Sequence, residues 1–100
     1  MERIADKPRI APDVLQRVAD ALRVLAHPHR LRIVELLEAD DLPVGQLAAE
    51  LGIPQAACSQ HLNRMRAHGL LKARREGKAV YYQVANPHAL SVLNCIRKNG

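Results

Sequence analysis

Apolar positions recur at helical spacing along most of this chain, and the spacing shortens once, after Gly69. From Pro12 onward, Val14, Leu15, Val18, Leu22 and Leu25 form one stripe. A stripe that returns every three or four residues marks an amphipathic helix. Pro12 suits a first turn, and Asp13 meets the positive end of the helix dipole. His27-Pro28 breaks this helix, and Pro28 opens another that runs to about Glu38. Its apolar set, Leu31, Ile33, Val34, Leu36 and Leu37, covers a wide arc. Such a helix is expected to be central and covered on more than one side.

Asp40 and Asp41 mark a loop, read most simply as solvated. Leu42-Pro43-Val44 is short and suits an edge strand. Gly45 to Leu51 is a short helix with Leu47, Ala48 and Leu51 facing inward, and Gly52 ends it. Pro54 follows at a first helical position, where its missing N–H is an orphan donor anyway. That helix reaches His68, and Gly69 supplies the left-handed residue that closes its last turn. Cys58, Leu62 and Met65 fall on one side of it; Gln55, Ala56, Ser59, Gln60 and Asn63 fall towards the other.

Beyond Gly69 the period becomes that of strands. Leu70 to Arg75 and Ala79 to Val84 flank Glu76-Gly77-Lys78, which predicts a β-hairpin. Asn86-Pro87 then reads as the cap and first residue of a last helix to about Lys98, with Ala89, Leu90, Leu93 and Ile96 on its apolar side. The expected fold is mainly α with a small β-hairpin. Two short helices joined by a tight glycine turn, followed by a basic hairpin, make a winged helix-turn-helix. Residues 1–11 are expected to be a flexible arm, with Arg3, Lys7 and Arg9 near enough to brush phosphates. Residues 12–98 form one domain.

Composition narrows this picture. One hundred residues make a single domain, and with no Phe or Trp its core must be Leu, Val, Ile and Ala. A chain this short buries a modest share of its surface, so dimerisation would stabilise it. The formal charge is +5. All of that excess falls between Gly52 and Val84, where Arg64, Arg66, Lys72, Arg74, Arg75 and Lys78 face one acid, Glu76. A localised basic patch is the electrostatic footprint of nucleic-acid binding. The N-terminus lacks the pattern of a secretory signal and no apolar run would span a bilayer, so a cytoplasmic protein without a membrane partner is expected. Two cysteines make no disulfide framework.

Several segments together resemble one known family. His27-Pro28-His29-Arg30-Leu31-Arg32-Ile33, Val44-Gly45-Gln46-Leu47-Ala48, Ser59-Gln60-His61-Leu62, Gly69-Leu70-Leu71 and Gly77-Lys78-Ala79-Val80-Tyr81-Tyr82 stand in the order and spacing of ArsR/SmtB-family repressors. The resemblance covers roughly residues 12 to 98. It implies a homodimer joined through its first and last helices, seated on inverted-repeat operator DNA until an inducer releases it. It also implies that Gln55, Ala56, Ser59 and Gln60 read DNA and that the hairpin is the wing.

The departures from the family pattern are informative. Pro43 and Gly45 stand where the arsenic sensors carry Cys-x-Cys. Asn86 and His88 match the first pair of the zinc sensors with the acid lost, and the second pair is missing. The second helix holds no cysteine, unlike members that sense oxidant or persulfide with a thiol pair. Ala56 replaces a frequent serine, removing one hydroxyl contact.

These readings assign chemistry to particular residues. Gln55, Ser59, Gln60 and Asn63 would specify bases in a major groove, since amides and hydroxyls match base edges. Arg64, Arg66, Arg74, Arg75 and Lys78 would position the protein on phosphates. His61 would hydrogen-bond locally or touch a phosphate. Cys58 is either a small core residue or a trigger whose modification tilts the reading helix. Cys95, on the side of Ser91 and His88, is the more accessible thiol. A thiol switch, a metal shared by Cys95 and His88 or by Cys58 and His61, and no sensing role at all are the alternatives. One Cys and one His per subunit fill a tetrahedral site only when a dimer pools two sets. No cofactor is otherwise expected. His27, His29 and His68 receive no role. A module that binds protein through the same groove face is the rival from another class. A thiol enzyme on Cys58 and His61 lacks an orienting third residue and an evident cleft, so the chain is not expected to be an enzyme.

Overall fold

The computed structural model describes residues 7–100, so Arg3 of the arm lies outside the described residues. The order is α1 (Pro12–Leu25), α2 (Pro28–Ala39), β1 (Leu42–Pro43), α3 (Val44–Leu51), α4 (Gln55–Ala67), β2 (Leu71–Glu76), β3 (Ala79–Val84) and α5 (Pro87–Asn99). The strands form one antiparallel sheet in the order β1-β3-β2. Pro43 pairs with Tyr81 on the sheet edge, where a residue without an N–H is tolerated.

Local chemistry fixes most boundaries. Asn86 Oδ1 accepts from the His88 N–H at 2.9 Å and caps α5. At the end of α4 the Gly69 N–H donates to the Arg66 carbonyl at 2.9 Å and the Leu70 N–H to the Met65 carbonyl at 3.0 Å. This pair of hydrogen bonds needs a left-handed residue, and Gly69 has φ +71°. Leu70, just beyond, is buried and ties the closed end to the core.

Several expected boundaries shift. Val44 opens α3 instead of ending the edge strand, and β2 begins at Leu71 instead of Leu70. Pro54 is the cap of α4, not its first helical residue: its ψ is 145° and its carbonyl accepts from the Cys58 N–H at 3.1 Å. The hairpin loop is two residues, Gly77-Lys78, because Glu76 pairs with Ala79 and extends β2. A left-handed first loop residue matches the twist of the flanking strands, and Gly77 has φ +63°.

The core lies among α2, α3, α4 and the base of the sheet. Ile33, Val34, Leu47, Cys58, Leu62 and Met65 are all fully buried. The central position expected for α2 holds. The stripe of α1 behaves differently: only Val24 and Leu25 reach the core, while Leu15, Val18 and Leu22 remain about half exposed. Ile96, expected on the apolar side of α5, is 47% exposed. The chain is elongated, 57 × 28 × 20 Å.

Candidate nucleic-acid interface

The turn between α3 and α4 sets the site. Gly52 ends α3 with φ +68°, and the Ile53 N–H returns to the Ala48 carbonyl at 3.1 Å. Cys58, Leu62 and Met65 then seat α4 on the core. That anchoring turns Gln55, Ala56, Gln60 and Asn63 to solvent, with Ser59 half-buried on the flank. Arg64 and Arg66 are exposed in the last turn, where cations oppose the helix dipole. The outward face is therefore uncharged and hydrogen-bonding through its first half and cationic at its end.

The wing divides its basic residues. Arg75 and Lys78 are exposed, with no ion pair to a carboxylate among the described residues. Arg74 differs from the expected free phosphate contact. Its guanidinium bonds Glu76 and Asp41, the latter at 3.3 Å, and lies 5.1 Å from the centre of the Tyr81 ring. The hydrogen bond to Glu76, then that to Asp41, raises its pKa further. Asp41 also accepts from Gln83 Nε2 at 2.7 Å. The Asp41 carboxylate, expected to be solvated, instead braces β2 and β3 against the loop before β1.

His61 turns from the reading face to α2. Its Nδ1 accepts from Arg30 Nε at 3.1 Å, a partner 31 residues away rather than a local one. The His61 ring centre lies 4.6 Å from that of His27 and 5.7 Å from that of His29. Burial lowers the His61 pKa, and His27, Arg30 and His29 lower it further by repulsion. His27 and His29, to which the sequence assigned no role, thus belong to a cluster. The available signal was position: His27 stands just before Pro28, where a cap is needed.

The sensing candidates are placed apart. Cys58 is wholly buried and burial pushes its thiol pKa up, whereas Cys95 is exposed. His88 and Cys95 lie two turns apart on α5, about 10 Å along its axis. Among the described residues no three His, Cys, Asp or Glu side chains are grouped to hold a metal ion.

A recognition helix set by a glycine turn, flanked by a basic hairpin, defines a winged helix-turn-helix DNA-binding protein. The family model described as a helix-turn-helix domain matches residues 25–74. The transcriptional repressor SmtB homologue of Synechocystis is 36% identical over 80% of the chain. The transcriptional repressor PagR of Bacillus anthracis is 39% identical over 82% of the chain and 83% of its own length. The PagR crystal structure superposes with TM-score 0.77, covering 86% of this chain and 99% of that one at 37% identity. A homodimeric winged helix-turn-helix domain from Mycobacterium bovis, a possible ArsR-family regulator, gives TM-score 0.79 at 28% identity over 94% of this chain and 87% of that one. The chain belongs to the ArsR/SmtB family of winged helix-turn-helix transcriptional repressors. It spans 61% of the length of the Synechocystis relative and 64% of that of the nodulation protein NolR of Rhizobium meliloti.

Proposed function

We propose that this chain is a homodimeric repressor that reads an inverted-repeat operator with α4 and competes with RNA polymerase for a promoter. The observation that carries this is the outward row Gln55, Gln60 and Asn63, with Ser59 on its flank, on a helix whose opposite side is locked into the core. Bases would be read by those four residues. Arg64, Arg66, Arg75 and Lys78 would hold phosphates, and Arg74 would act through the wing that it braces.

The half-exposed Leu15, Val18 and Leu22 of α1 and Ile96 of α5 favour the dimer. An open apolar groove of about 630 Å³ lies beside them, lined by Val14, Val18 and Leu22 of α1 and Ala89 and Val92 of α5. A second copy laid along this face would remove four large side chains from water. A thiol-reactive release signal would meet Cys95, which is exposed, before Cys58, which is wholly buried.

Selection from a pool of random duplexes tests the reading. The expected product contains two half-sites about 10 base pairs apart, centre to centre, or a multiple of that spacing. A pool that emerges without enrichment would contradict operator reading and favour the protein-binding alternative.

A further inference from the structure

Three imidazoles and one guanidinium meet where α1, α2 and α4 converge, away from the reading row. We propose that His27, Arg30 and His61 form a proton-sensitive latch that holds α4 against α2, so that acidification frees the reading helix and weakens DNA binding. This rests on the reading of α4 as the recognition helix.

The hydrogen bonds carry the proposal. Arg30 Nη1 donates to the Val24 carbonyl of α1 at 3.1 Å, and Arg30 Nε donates to His61 Nδ1 of α4 at 3.1 Å. One side chain of α2 therefore ties both neighbouring helices. His27 Nδ1 accepts from the His29 N–H at 3.1 Å and closes the first turn of α2, which places Arg30. Arginine can only donate, and so can a backbone N–H. Both imidazoles must therefore be neutral, with the proton on Nε2. Protonation at Nδ1 would set an N–H against an N–H in each bond.

The surroundings oppose the charged form. His29 and Arg30 of α2 face the pair, Arg64 of α4 acts on Arg30, and α1 contributes the Val24 carbonyl. Among the described residues no carboxylate is found acting on either imidazole. Burial first, and neighbouring Arg30 and histidines second, hold both His27 and His61 below the ordinary histidine value. The sign follows. The latched form binds fewer protons than the released one, so the latch is complete above about pH 6.5 and loses stability as pH falls below it. Direct contact of these rings with DNA phosphates would give the opposite sign, tighter binding on acidification.

Amide exchange, corrected for intrinsic rates, tests this at about pH 7.5 and about pH 5.5. Wild type is compared with the double variant H27N/H61Q. Asn is a good cap at position 27, and the side-chain oxygen of a glutamine at position 61 accepts from Arg30 without titrating. In wild type, protection of the His29 amide and of the first half of α4 should fall severalfold or more on acidification, because the released form takes up protons that the latched form excludes. In the variant it should fall less than about twofold. Equal falls in both, or none in wild type, would overturn the latch. Binding to a random-sequence duplex at the same two pH values should weaken in wild type relative to the variant; relative strengthening would overturn the proposal. A wild type that binds no duplex at the higher pH defeats the DNA-binding reading, while the exchange comparison still decides the latch. Should the variant not fold, NMR titration of the wild-type imidazoles decides: His27 and His61 titrating at or above the ordinary histidine value overturn it.

Discussion

Cys58 and Cys95 present the same thiol in opposite surroundings. The thiolate is the reactive species, and Cys58 is both wholly buried and held in its thiol form by that burial. Cys95 stands exposed, with Asn99 Nδ2 3.7 Å from its sulfur. A brief pulse of iodoacetamide on the folded protein should modify Cys95 at least about tenfold faster than Cys58, read by peptide mass mapping. Equal rates would mean that α4 opens readily and would undermine Cys95 as the point of first contact. The contrast was legible from position alone, because Cys58 shares a helical stripe with Leu62 and Met65. The fate of Arg74 was not. Its partner Asp41 lies 33 residues away, across a fold whose sheet order no local pattern states.

At the level of elements, the glycines and prolines wrote most of the map. Gly52, Gly69 and Gly77 all adopt positive φ at the ends or turns where the chain required it. The winged helix-turn-helix could be read because each of its elements carries its own local signal. The third strand, β1, was only suggested by three residues, and its pairing with β3 depends on tertiary placement. The histidine cluster escaped for a related reason. His27 and His29 share a turn, but His61 reaches them only after α4 has packed on α2. Helical periodicity reports which side of a helix is apolar, not which polar side chains from different helices meet.

For the whole molecule, the periodic stripe of α1 was correctly placed on a helix, yet the described residues bury its Leu25 and leave most of the rest half exposed. Its Leu15, Val18 and Leu22 point to a surface that a second copy would complete. Leu22→Asp should place a charge in that seam. By sedimentation, wild type should run as a dimer and the variant as a monomer, with the helical content of a folded domain by circular dichroism. Loss of one half of the reading unit should weaken binding to a two-half-site duplex by at least about a hundredfold, since linked half-sites add their avidity. A variant that remains dimeric would move the interface elsewhere.

The outward face of α4 is the centre of this account. The most direct test compares wild type, Gln60→Ala and Lys78→Ala on the selected operator and on a random duplex. Gln60→Ala should cost about 1–3 kcal/mol on the operator, the worth of a good base contact, and little on random DNA. Lys78→Ala should weaken both alike and lower the salt slope by about one. Equal losses on both duplexes for Gln60→Ala would contradict base reading by α4.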